Sequence, residues 1–193
     1  GESMIITVMM ASVVYAASVE EEQAEMVRIY EDMLKFEKRG NWDAIERKYL
    51  EILTYKKGEA THSMHALAAQ ASNTTGDVGK TRIRLERALA AEEIPETKGW
   101  LDSITANFVA VEISVASSYE IPPELQIANM PFFPDQQQAI TFASKKLAAN
   151  GKFKGMLPLG EYTMGSTTFS LQQGMTGIQK VKISESVSLG EIS

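Results

Sequence analysis

Apolar positions change their rhythm once along this chain. Over residues 19–91 they recur three and four apart, the period of a helix with one buried face. Ala24, Val27, Ile29, Tyr30, Met33, Leu34 and Phe36 mark a first helix, with Glu20, Glu21 and Glu22 expected in its first turn, where the helix dipole favours acids. Lys38-Arg39 and Gly40 close it. Ile45, Tyr49, Ile52 and Leu53 predict a second helix over 44–55, stopped by Gly58. Thr61 caps a third through Met64, Leu67, Ala68 and Ala71. Ile83, Leu85, Ala88 and Leu89 predict a fourth, ending before Ile94-Pro95. Trp100, Ile104 and Phe108 suit a fifth.

From Phe108 the period is two. Val109, Val111, Ile113 and Val115 alternate with Ala110, Glu112, Ser114 and Ala116, which predicts a strand with one wet face. Leu125, Ile127 and Met130 suggest a second strand, and residues 131–134 break it with two prolines. A helix over 135–150 follows, with Asp135 as its expected N-cap and Asn150-Gly151 as its end. Short strands are expected at 153–157, 161–164, 168–171 and 178–183, with a tight hairpin at Gly165-Ser166. The glycines here are spaced as turn positions. No helix follows them and no Gly-Lys-Ser/Thr is present, so a phosphate loop is not indicated. The expected fold is α+β: antiparallel helical hairpins first, then a small, mostly antiparallel β domain with one inserted helix. The expected units are an apolar segment at 1–18, a helical domain at 19–108 and a sandwich-like β domain at 109–193.

Gly40-Asn41-Trp42 and Gly76-Asp77-Val78 lie 36 residues apart, each between two helices. Nine residues after each glycine comes Tyr49 or Leu85, and then an apolar pair, Ile52-Leu53 or Ala88-Leu89. With LAAQASNTTGD and RLERALAAEEIP, this resembles the tetratricopeptide repeat, whose usual period is about 34. The first copy departs from that family by carrying Tyr30 and Met33 where small residues are expected. The resemblance implies stacked hairpins with a face that docks a peptide or a protein. A plain antiparallel four-helix bundle fits the same periodicity. KGMLPLGEYTMGSTTFSLQQG resembles a turn of small envelope β-sandwiches of the carboxypeptidase-regulatory or transthyretin-like type. That resemblance implies an accessory module without catalytic residues of its own.

MIITVMMASVVYAA, residues 4–17, is apolar or small throughout. It is short of the roughly 20 residues that span a bilayer. It matches the apolar region of a secretory signal, with Tyr15-Ala16-Ala17 before Ser18 suiting cleavage, although no Lys or Arg precedes it. A strand or helix of the folded core and a self-association segment, as in filament subunits, are the rivals. Membrane association through residues 4–17 is a further option.

Composition narrows the function classes. The net charge of −6 argues against a nucleic-acid surface, and Lys56-Lys57 and Lys145-Lys146 read as isolated groups on solvated helix faces. The absence of cysteine removes disulfides, thiolate zinc sites and cysteine nucleophiles. His62 and His65 share a helix face, expected to be polar surface, and only Glu59 is close enough in sequence to join them on a metal. Glu46 and Glu51 are expected to point outward, and no Gly-x-Ser-x-Gly elbow exists. No catalytic, cofactor-binding or metal residue is assigned. The candidate partner contacts are Trp42, Trp100, Phe132 and Phe133. Both tryptophans are expected chiefly in the core, and the two phenylalanines as a plug over the end of the sandwich. The reading is a non-catalytic scaffold or assembly protein, secreted, periplasmic or envelope-associated, with a protein partner or a second copy and no nucleic acid. A filament subunit, or a small-molecule binder or hydrolase with a pocket between the halves, are the alternatives.

Overall fold

The computed structural model describes residues 2–185, with side chains from Ser18 onward. Five helices come first: α1 (Glu2–Lys38), α2 (Trp42–Ile52), α3 (His62–Thr75), α4 (Val78–Ala91) and α5 (Pro95–Asn107). Strands β1 (Phe108–Val115) and β2 (Leu125–Ile127) follow, then α6 (Pro134–Asn150). The chain ends in β3 (Lys152–Pro158), β4 (Gly160–Met164), β5 (Thr167–Leu171) and β6 (Gln179–Ile183). The fold is α+β, helices before sheets, and the first strand begins at Phe108, where the apolar rhythm changes.

Helices α1 to α5 stack in sequence order, each packed on the next. Helix α1 begins at Glu2, so residues 4–17 continue the helix that follows them and are not a strand. Whether they act as signal, core or assembly segment turns on side chains that lie outside the described residues. Because α1 starts so early, Glu20–Glu22 stand mid-helix and not in its first turn. There Glu22 accepts the Lys57 and Gly58 backbone N–H groups at 2.7 and 3.0 Å. Gln23 exchanges two hydrogen bonds with the Glu59 backbone, so together they clamp the loop that joins α2 to α3. The buried stripe of α1 is Met26, Ile29 and Met33, while Ala24 and Val27 are exposed. Leu53 and Ile83 also differ from expectation and are largely exposed: Leu53 is the cap residue after the last turn of α2, and Ile83 borders open space between α4 and β3.

The two glycine turns have one geometry. Gly40 (φ 65°) donates its N–H to the Glu37 carbonyl, and Asn41 donates to Phe36. Gly76 (φ 92°) donates to Asn73, and Asp77 to Ser72. These are paired left-handed helix ends of the Schellman kind, a conformation glycine adopts without a Cβ penalty. Each polar residue then caps the next helix. Asn41 Oδ1 accepts from Ala44 N–H at 3.1 Å, and Asp77 Oδ1 from Lys80 N–H at 3.1 Å.

The strands form two three-stranded sheets, ordered β3-β1-β6 and β2-β4-β5. Pairing is antiparallel except between β1 and β6, which run parallel. Both sheets and α6 bury side chains in one cluster that includes Val111, Ile140, Leu147, Tyr162, Met164 and Leu171. A second cluster lies inside α1–α3. A third joins the two halves: Ala69, Val78, Leu85 and Ile104 from the helices meet Phe108, Ala139 and Met156. The first sheet thus has two working faces. Val109, Val111 and Ile113 turn toward α6 and the second sheet, whereas Phe108 and Met156 turn toward α4 and α5.

Several boundaries differ from the sequence reading. Helix α2 starts at Trp42, capped by Asn41, and stops at Ile52, short of residue 55. Strand β2 stops at Ile127 and does not reach Met130. Helix α6 has Phe133 at its N-cap and Pro134 at its first position, so Asp135 lies inside the first turn. Proline carries no N–H to cap and has its φ already set for a helix, and it takes the position ahead of Asp135.

Candidate functional site

A polar cluster is buried in the helical stack. The Arg84 guanidinium, on α4 and almost wholly enclosed, donates to the Ala68 carbonyl at 2.9 Å and to Glu46 Oε1 at 2.7 Å. It also lies over the Tyr49 ring, 4.7 Å from the centroid. Tyr49 Oη and His65 Nδ1 share a hydrogen bond of 2.8 Å. His62 Nε2 and Thr97 Oγ1 share another of 2.8 Å. Glu46 therefore does not point outward: burial alone would raise its pKa, but the Arg84 hydrogen bond and charge, with Lys80, hold it below the ordinary carboxylate value. Both histidines are buried rather than on a polar surface. Their neighbours α2 and α5 cover the face that sequence alone leaves bare. Burial foremost, then the positive charges of Arg87, His62 and Arg84, lowers the pKa of His65. The cluster ties α2, α3 and α4 together. Glu46 opens onto a cleft with Trp42, Ser72 and Lys80, and His62 and Thr97 line another beside Trp100. Among the described residues, no three His, Asp or Glu side chains gather in a way that could hold a metal ion.

The four aromatic candidates separate into two kinds. Trp42 packs against the α1–α3 core and Trp100 against the joining core, each half-buried. Phe132 and Phe133 do not plug the β core. They are 90% and 61% exposed, set edge to face with ring centroids 6.2 Å apart. Pro134 starts α6 at once, and the loop before it makes no strand pairing, so both rings are held outside the sheet. Ile121 and Met130, elsewhere in the β2-flanking loops, are exposed as well.

A third feature was not legible in the sequence. Where α4 leaves the outer face of the first sheet, a cavity of about 320 Å³ opens. Gly79 of α4 and Gly155 of β3 approach closely enough that a Cβ on Gly79 would stand 3.4 Å from Gly155 Cα. Ile83, Met156 and Ile178 give the cavity apolar walls, and Lys80, Arg82 and Lys154 stand around it. The same sheet face also carries Lys152 on β3 and Lys180 and Lys182 on β6, set around Glu112 and Ser114 of β1 by the strand register. Lys146 of α6 lines adjoining clefts with Lys80. These lysines are scattered over 80–182 in the sequence, and only strand pairing and the packing of α4 on β3 gather them. Short basic groups that read as isolated thus belong in part to one cationic surface on an acidic chain. Alternation along β3 and β6 was the one available signal, since Lys152/Lys154 and Lys180/Lys182 each fall two apart.

No family model, curated protein or solved structure matches the chain.

Proposed function

We propose that the protein is a non-catalytic scaffold or assembly subunit, secreted or envelope-associated, that holds other protein chains. The observation that carries this reading is the Phe132–Phe133 knob. Two large rings in solvent, beside a helix start, are costly to leave wet and suit the centre of a protein interface. On this reading α1–α4 are two tetratricopeptide-like hairpins, supported by the glycine turn repeated at 36 residues, and the two sheets are the layers of a small sandwich, supported by their common core. The partner most directly testable is a second copy. Sedimentation velocity over a concentration series is expected to show self-association of the full chain, lost in Phe132→Ser/Phe133→Ser at unchanged melting temperature. A photo-crosslinking residue at position 132 covers the case of a different partner and is expected to give discrete adducts in cells. Monomers at every concentration together with no adduct would end this reading.

A second reading is favoured by the seam cavity: a small-molecule binder whose pocket lies between the helical half and the first sheet. Its volume of about 320 Å³ stands near the lower bound of ligand pockets, roughly 300 Å³.

A further inference from the structure

The seam cavity combines two properties. Its walls are apolar, with Ile83 and Ile178 44% and 47% exposed, although both are large aliphatic side chains. Its rim is cationic. The single acid among its lining residues, Asp77, is already engaged: Oδ1 accepts the Lys80 N–H, and Oδ2 lies 3.9 Å from Lys80 Nζ. Lys80 is further offset by Glu46 at 3.5 Å. Two further cations, Lys154 and Arg82, stand at the rim. Lys154 makes no ion pair among the described residues. Arg82 is ion-paired with Glu86 at 3.7 Å and its side chain is 41% exposed, but its Nε is itself out of solvent and makes no hydrogen bond. An Nε–H out of solvent and without a hydrogen-bond acceptor is unfavourable, and an oxyanion beside it would satisfy the fork geometry that arginine offers.

We propose that this cavity binds a small amphipathic carboxylate: an aliphatic or aromatic acid whose body rests on Ile83, Met156 and Ile178 and whose carboxylate meets Arg82 and Lys154. The inference rests on the second reading above and names the ligand class for it. A monoanion suits the site better than a dianion, because Asp77 and Glu46 already offset Lys80. The apolar walls exclude a fully hydrated inorganic anion, which would lose its water against aliphatic carbon without return. The sequence hid the site because Arg82 and Ile83 belong to α4, Lys154 and Met156 to β3, and Ile178 to the turn before β6.

The test is calorimetric titration of the full chain with octanoate and, separately, with octanol. Octanoate is expected to bind saturably, and Arg82→Gln/Lys154→Gln to weaken it at least about tenfold, as losing charge-assisted hydrogen bonds does. Octanol is expected to bind more weakly and to ignore that double variant. Phe132→Ser/Phe133→Ser is expected to leave octanoate binding unchanged. Circular dichroism melts confirm that each variant folds. If octanoate and octanol bind alike and neither responds to the double variant, the carboxylate assignment is wrong while the binder reading stands. If neither ligand saturates, both fall. If binding follows the phenylalanines and not Arg82 and Lys154, the ligand sits on the knob and the proposal is overturned.

Discussion

Gly40 and Gly76 each end a helix in the left-handed conformation, and each hands the chain to an Asn or Asp that caps the next helix. Their surroundings differ. A methyl built on Gly40 would meet nothing within 4 Å, whereas one on Gly76 would run into the Gln138 carbonyl oxygen and Phe142 of α6. Positions 36 residues apart also differ in chemistry. Ile29, Phe36 and Ile45 of the first copy correspond to His65, Ser72 and Thr81 of the second. The first set packs as hydrocarbon around Met33 and Tyr49. The second makes hydrogen bonds: Ser72 and Thr81 hydroxyls meet at 2.8 Å, and His65 bonds Tyr49 across the copies. Among the described residues, the first hairpin, α1 and α2, packs onward chiefly through α2 against α3. The second hairpin, α3 and α4, must fit α2, α5, α6 and β3 together. A repeated local motif therefore tolerates change in proportion to what has been packed against it.

Substitutions can break or sharpen that contrast. The largest effect is expected for Gly76→Ala, which combines a left-handed Cβ with overpacking against α6 and should cost about 3 kcal/mol. Gly40→Ala, with the same backbone geometry and open space, should cost only about 1 kcal/mol. Equal losses in urea unfolding would mean that the two turns do not differ as described. Arg84→Met comes next. It leaves Glu46 without its main counter-charge, and because the Glu46 side chain is 27% exposed the cost is expected below the fully buried range, about 2 kcal/mol. The corresponding residue of the first copy, Lys48, pairs with Glu51 near the surface, and Lys48→Met should shift the unfolding midpoint scarcely at all. Tyr49→Phe removes the bond to His65 and should cost about 1 kcal/mol in the same assay.

The smallest effect is a pH slope. The pKa of His65 is lowered in the folded chain, so folding favours its neutral form. The stability this confers is whole above the ordinary histidine value of 6.5 and is lost as pH falls through the lower folded value. Glu46, also lowered, adds a loss of the same sign beneath the ordinary carboxylate value of 4.5. Melting temperatures recorded from neutral pH downward should fall first with His65, and His65→Gln should flatten that first step while leaving the Glu46 step in place. A profile identical in the variant would remove His65 from the account.

Much of the architecture could be read directly from the residues. Helix and strand periods differ enough that the change at Phe108 located the first strand, and Gly40, Gly76 and Gly151 marked helix ends because few other residues accept positive φ. Caps competed less predictably: Pro134 displaced Asp135, since a residue with φ preset and no N–H to satisfy wins the first helical position. Histidine burial, the Glu46–Arg84 pair and the exposure of Phe132 and Phe133 were not legible. Each depends on whether a neighbour distant in sequence covers that face. The cationic cavity is the extreme case, assembled from residues on α4, β3 and the β6 turn.

Local periodicity, turn chemistry and composition, acting over a few residues at a time, determined the order of elements, their class and the absence of thiol chemistry. Only the tertiary structure decided which polar groups are buried, which rings stay wet and where lysines converge, because burial and electrostatic proximity are set by distances across the fold and not along the chain.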